Sequence, residues 1–163
     1  MPLPRSILRL TDEELDELLT TEMTLRAGTV SEDGMPHVAP LWFIWYDGAI
    51  WLNSLRRSRR TADLAAGSKV ALCVDTGDTY WELKGAVLYG TPREATDDPQ
   101  LSDARKAFAQ KNWGIEDLPP EIKSHVWLKL VPEKIVSWDF AKIPAGKDPR
   151  IKYGPKPPDS TTT

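Results

Sequence analysis

Four arginines stand close together in the run Asn53-Ser54-Leu55-Arg56-Arg57-Ser58-Arg59-Arg60-Thr61. Guanidinium forks match phosphate and carboxylate groups bidentately, and the amino end of a helix already favours anions. Asn53 and Ser54 end a strand-like segment, and Ser58 stands where a helix would be capped. Cations at a helix start oppose the macrodipole at about 0.3–1 kcal/mol each, unless an anion sits among them. A solvated charge run is the ordinary explanation of such a cluster. A bound polyanion explains its placement better. A second segment, Val38-Ala39-Pro40-Leu41-Trp42-Phe43, carries a proline inside a strand-like run. Proline removes a ladder donor, which is tolerable only at an edge or a bulge. Backbone left unpaired there could bond the rim of a flat ring, or the segment is simply an edge strand with a packing tryptophan. In Ile135-Val136-Ser137-Trp138-Asp139-Phe140, Trp138 is either a core residue or a ring-stacking one.

Other routes to chemistry leave no trace. His37 and His125 lack the neighbours of a metal site. There is no G-x-S-x-G, Walker or G-x-G-x-x-G pattern, so nucleophilic catalysis has no visible players. The lone Cys73 lies in the apolar run Val70-Ala71-Leu72-Cys73-Val74 and reads as a small buried hydrophobe. A single cysteine fits a reducing cytoplasm.

The elements that must carry these residues are mostly strands. Thr11 caps a short amphipathic helix whose apolar residues are Leu15, Leu18 and Leu19. Strand-like segments follow at Thr24–Val30, His37–Tyr46 and Ala49–Ser54, the last two joined by an Asp47-Gly48 turn. Ser58 to Ala66 reads as a helix stopped by Gly67. Lys69–Asp75 and Tyr80–Thr91 read as strands, Asp97–Lys111 as a helix with Pro99 in its first turn, and Pro119-Pro120 as the opening of a further short helix. Val126–Val131 and Lys134–Phe140 are two late strands. Antiparallel strands at short spacing with few helices point to a barrel or sandwich.

The 163 residues suit a single domain. Residues 1–142 form it, and 143–163 are a Pro-, Lys- and Thr-rich tail that is mobile or packed on a partner. A net charge of −3 gives no reason to expect nucleic acid. The amino terminus lacks a signal-peptide pattern, and no apolar stretch is long enough to span a membrane. The expectation is a soluble, cytoplasmic protein.

Taken in order from about Leu25 to Phe140, these segments resemble the pyridoxamine 5′-phosphate oxidase-like, FMN-binding split-barrel superfamily. The resemblance is carried by Gly28-Thr29-Val30-Ser31-Glu32-Asp33-Gly34-Met35-Pro36-His37-Val38, Pro40-Leu41-Trp42-Phe43, Asp47-Gly48, Asn53-Ser54 and Ser58-Arg59-Arg60. It implies a mainly β, six-stranded antiparallel Greek-key split barrel, working as a homodimer with two cofactors at the subunit interface. It also implies that Ser58, Arg59 and Arg60 grip the cofactor phosphate, with Arg56 and Arg57 as further candidates from the same run, that Pro40, Leu41 and Trp42 face its ring, and that Asn53 and Ser54 lie beside it. Tyr80 would edge the ring and is the one candidate for a catalytic role; Trp138 would reach towards the partner's site.

The sequence departs from the oxidases proper. His37 to Trp42 offers no arginine or lysine, and no C-terminal arginine pattern for pyridoxal phosphate is recognisable, so vitamin B6 oxidation is not what the resemblance implies. The doubled arginine pairs and Ser137-Trp138-Asp139-Phe140 look like the flavin/deazaflavin reductase branch. Its members use FMN or the deazaflavin coenzyme F-420. The more anionic deazaflavin suits four arginines better. The expected activity is hydride transfer to a small conjugated acceptor such as an enone or quinone. The rival is a non-catalytic flavin- or haem-binding carrier or sensor on the same barrel.

Overall fold

Helix α1 (Asp12–Thr21) begins with a reciprocal cap. The Thr11 hydroxyl accepts from the Glu14 N–H at 3.2 Å, and the Glu14 carboxylate accepts from the Thr11 N–H at 2.8 Å. The computed structural model describes residues 5–65 and 67–144; most of the 143–163 tail lies outside them. After α1 come β1 (Thr24–Val30), β2 (Pro36–Tyr46) and β3 (Ala49–Leu55). Asp47 and Gly48 both take positive φ, 48° and 71°, which a two-residue hairpin turn requires. Then follow α2 (Arg59–Ala65), β4 (Val70–Thr76), β5 (Lys84–Gly90), β6 (Arg93–Glu94), α3 (Leu101–Trp113), β7 (His125–Leu130) and β8 (Lys134–Asp139).

All strand pairings among the described residues are antiparallel, in the order β6-β7-β3-β2-β1-β4-β5-β8. Strand β2 belongs to two halves of this sheet. Its residues Pro36 to Trp42 pair with β1, and Phe43 to Tyr46 pair with β3. Inward side chains from both halves, among them Leu25, Phe43, Leu52, Leu72, Leu88 and Leu128, meet in one core. A sheet whose two halves bury the same face against each other must curl. A second, smaller core lies outside the curl, where α3 covers Ile44 and Trp51 with Ala104 and Phe108.

Most of the elements fall where the sequence places them, and the exceptions have local causes. Among the described residues there are eight strands rather than six. The two edge strands are β8 and the two-residue β6. The strand expected from Tyr80 starts only at Lys84, because Tyr80–Glu82 form a 3-10 turn closed by the Glu82 carboxylate on the Thr79 N–H at 3.0 Å. Gly77, at φ +100°, makes that turn possible, since a Cβ there would meet the Glu82 carbonyl oxygen at 2.2 Å. No helix follows Pro119-Pro120. That stretch is instead tied to α3, whose Arg105 donates to the Pro119 carbonyl and to Glu121. Cys73 is half-buried rather than buried. Desolvation, then the Asp75 charge, raise its pKa, so the thiol stays protonated.

Helix α3 starts later than expected because Asp98 is engaged upstream of it. Its side chain is 3 % exposed, accepts from the Gln100 N–H at 2.9 Å, and pairs with Arg93 and, at 3.1 Å, with Lys129. The Lys129 ammonium also lies 4.6 Å from the centre of the buried Trp51 ring. Burial alone would raise the Asp98 pKa, but these donors outweigh it and hold the carboxyl below its ordinary value. Asp98→Ala leaves Lys129 buried without its counter-charge and is expected to cost about 3 kcal/mol. The shift in urea midpoint checks this. Lys111 gives a pH signature of the same sign as a paired carboxylate, but in a far more alkaline window. Burial lowers its pKa from 10.5 to about 8, against an opposing pull from Glu22. The unfolded chain therefore binds more protons than the folded one above pH 8, so stability should climb from about pH 8 towards 10.5. In Lys111→Met that climb should be missing from urea melts at successive pH values.

Candidate functional site

The change of partner in β2 leaves one flank of its first half open. Pro40 pairs with Arg26 of β1, and β3 turns away after Leu52 to pair with β7, matching Asn53 with Trp127 and Ser54 with Val126. The donor that Pro40 lacks therefore falls in a stretch with a strand on one side only, as its chemistry demands. Leu41 points inward against the core. Val38, Pro40 and Trp42 alternate outward, Val38 72 % exposed and Trp42 44 %.

The arginine block lies where β3 ends. The Ser58 hydroxyl accepts from the Thr61 N–H at 3.2 Å, which fixes the start of α2. Ser54 is buried and accepts from Arg60 through Nε at 3.3 Å and through a terminal nitrogen at 3.1 Å. Arg60 is thereby held half-buried on a neutral partner, and desolvation lowers its pKa. Arg56 turns the other way, to Glu94 at 3.4 Å. Among the described residues Arg57, Arg59 and Arg60 make no ion pair. Three guanidinium groups thus share a short stretch of chain with no carboxylate in ion-pair contact, Arg59 feeling only the longer-range charge of Asp33. The half-buried Arg60 carries the largest unmet cost.

Two hollows adjoin the block. One, about 260 Å³, lies between β3, β7, α3 and the 115–123 stretch, and its walls include Asn53, Arg56, Trp113, Lys123 and Trp127. Asn53 Oδ1 is buried without a hydrogen-bond partner. The other is lined by Leu55, Arg56, Arg57, Ser58, Lys123 and Ser124. Trp113 links the first hollow to the open strand, packing edge-on to Trp42 at 6.4 Å between centroids. Trp113, Trp127 and Lys123 were not among the residues expected from sequence. The only hints are an aromatic residue just before the helix-ending Gly114 and a second one in the strand opposite Asn53.

Tyr80 and Trp138 are placed elsewhere. Tyr80 packs on Trp81 at 5.3 Å and on Phe140 at 4.9 Å, and the Trp138 ring lies on Gly85 so closely that a Cβ there would come within 2.5 Å of it. Strands β2, β1 and β4 lie between β3 and β5 in the sheet. The expected site residues therefore form two groups within one chain: Pro40 to Trp42 with Asn53 to Arg60, and Tyr80 with Trp138. Among the described residues no group of His, Cys, Asp and Glu suits a metal, and no helix is long and apolar enough to cross a membrane.

Because the arginines are unbalanced, a small polyanion should stabilise the fold. Pyrophosphate at millimolar concentration is expected to raise the melting temperature of the protein. The same addition should leave Arg57→Ala/Arg59→Ala/Arg60→Ala unmoved, while that variant loses little stability by itself.

Comparison with known proteins agrees with this architecture. No curated protein matches the sequence. A conserved hypothetical protein from Mycobacterium tuberculosis superposes with a TM-score of 0.75 at 22 % identity, covering 86 % of this chain and 92 % of that one. A FAD-binding protein from Mycobacterium smegmatis gives 0.62 at 19 % identity, with coverage of 78 % and 95 %. A protein described as an F-420 reductase gives 0.61 at 19 % identity, with coverage of 77 % and 98 %. Likeness at such identities is a likeness of fold. The family model described as pyridoxamine 5′-phosphate oxidase matches residues 11–139, most of the chain, and the protein belongs to that family.

Proposed function

We propose that the protein is a cytoplasmic oxidoreductase that binds the deazaflavin coenzyme F-420, or FMN, and acts on a small conjugated acceptor such as an enone or quinone. The observation that carries this reading is the set of unpaired guanidinium groups beside an open strand flank. Arg57, Arg59 and Arg60 suit the phosphate-bearing arm, with Ser58 beside them and Arg56 shared with Glu94. Three cations without an ion pair exceed what one phosphate requires, which favours the longer anionic arm of the deazaflavin over that of FMN. Structural likeness to an F-420 reductase and to a FAD-binding protein supports a flavin-type cofactor.

When bound, such a cofactor supplies hydride transfer, and the protein supplies orientation and a dry pocket. Pro40, Leu41 and Trp42 line the ring with strand backbone, and Asn53 and Ser54 border it. Tyr80 and Trp138 complete the site from a second copy of the chain, since within one chain their strand lies beyond β2, β1 and β4. Support for a homodimer comes from the outer face of the sheet. Val38, Gly28 and Ala71 stand in one cross-strand row, and Pro40, Arg26, Cys73, Val87 and Val136 in the next, where Arg26 pairs with Asp75. Val136 is 44 % exposed on that face. A mainly apolar patch of this kind suits an interaction surface. Backbone amides or the Tyr80 hydroxyl would polarise the acceptor, and solvent would return the proton.

Reducing each cofactor and following its reoxidation by menadione is the direct test. Faster consumption with protein than without supports the enzyme. Tight binding with no acceleration by any enone or quinone would make it a carrier. Arg59→Ala/Arg60→Ala should weaken the preferred cofactor by about 3 kcal/mol or more, given about 1.5–3 kcal/mol for each charge-assisted bond.

A further inference from the structure

The hollow under α3 has the parts of a second ring site. It is small, about 260 Å³, and suits one flat ring system rather than a whole cofactor. Two indoles form part of its wall, and Phe108 packs edge-on against both, at 5.4 Å from Trp113 and 5.2 Å from Trp127. Those rings are held in place before any ligand arrives. Asn53 is among the residues lining the hollow, and its Oδ1 is buried and accepts no hydrogen bond, a state that a folded chain tolerates poorly unless something completes it. A carboxamide sets a donor beside an acceptor, the pattern that pairs with the amino group and adjacent ring nitrogen of adenine. Arg56 and Lys123 border this hollow and also the neighbouring one, which adds Arg57 and Ser58. Among the described residues Lys123, like Arg57, has no ion pair. Indoles and an amide behind, cations in front: the arrangement fits a purine joined to a phosphate.

We infer that this hollow binds an adenylate, with the purine between Trp113 and Trp127, its amino edge on Asn53, and its phosphate on Arg56 and Lys123. The adenylate is either a free nucleotide or half of a flavin dinucleotide. In the second case the inference rests on the flavin-type reading above, with the flavin ring on β2. In the first it stands without that reading.

Calorimetric titration with AMP tests it. AMP should bind, and adenosine, lacking the phosphate, at least tenfold more weakly. Two variants close or strip the site from its exposed side: Ile122→Trp fills the hollow from a residue 51 % exposed, and Trp113→Ala removes one wall from a residue 44 % exposed. Each should weaken AMP at least tenfold, and Ile122→Trp should leave FMN affinity within twofold, with circular dichroism melts confirming that both fold. Displacement of AMP by FAD but not by FMN assigns the site to the dinucleotide. Displacement by neither assigns it to a free nucleotide. Displacement by FMN means that the flavin ring itself occupies the hollow, and overturns the inference. So does absence of AMP binding in a protein that still binds FMN, an outcome that leaves the cofactor reading intact. Retained AMP binding with no affinity for FMN, FAD or coenzyme F-420 does the reverse.

Discussion

The structure depends on a strand that changes partner. Between Trp42 and Phe43, β2 leaves one half of the sheet and joins the other. Everything functional follows from that break. It lets both halves close on one core, leaves the Pro40 stretch open on one flank, and sends Asn53 and Ser54 to β7 instead of β2. Where β3 departs, the chain must turn at once, and the turn is where the arginines stand.

Those arginines are costly as the chain places them. A guanidinium held against a serine hydroxyl gains less than one held against a carboxylate, and Arg60 loses part of its hydration as well. The rest of the molecule shows that carboxylates are used where stability is at stake. Asp98 is surrounded by Arg93 and Lys129, and Glu121 meets the buried Arg105. Leaving Arg57, Arg59 and Arg60 without such partners is therefore selective. It makes sense if the counter-charge arrives with a ligand.

Much of this was legible in the sequence. The capping pattern at Thr11, the Asp47-Gly48 turn and the strand-like segments that become β1 to β3 are local signals, and the structure follows them. Pro40 reveals an open flank because its chemistry is the same in any context. The Tyr80 and Pro119 segments misled because their backbone is decided by distant or side-chain bonds, Glu82 on Thr79 and Arg105 on Pro119. The Trp113–Trp127 hollow was invisible for the same reason. It forms between α3 and β7, and no spacing in the chain records which helix will cover which strand.

The most direct test of the central claim compares FMN with riboflavin, which carries the same ring without the phosphate, at low and high salt. Neutralisation of an anionic arm by Arg57, Arg59 and Arg60 predicts that riboflavin binds at least tenfold more weakly than FMN, and that salt erodes the FMN affinity but spares riboflavin. Equal affinity for the two, unmoved by salt, would contradict it.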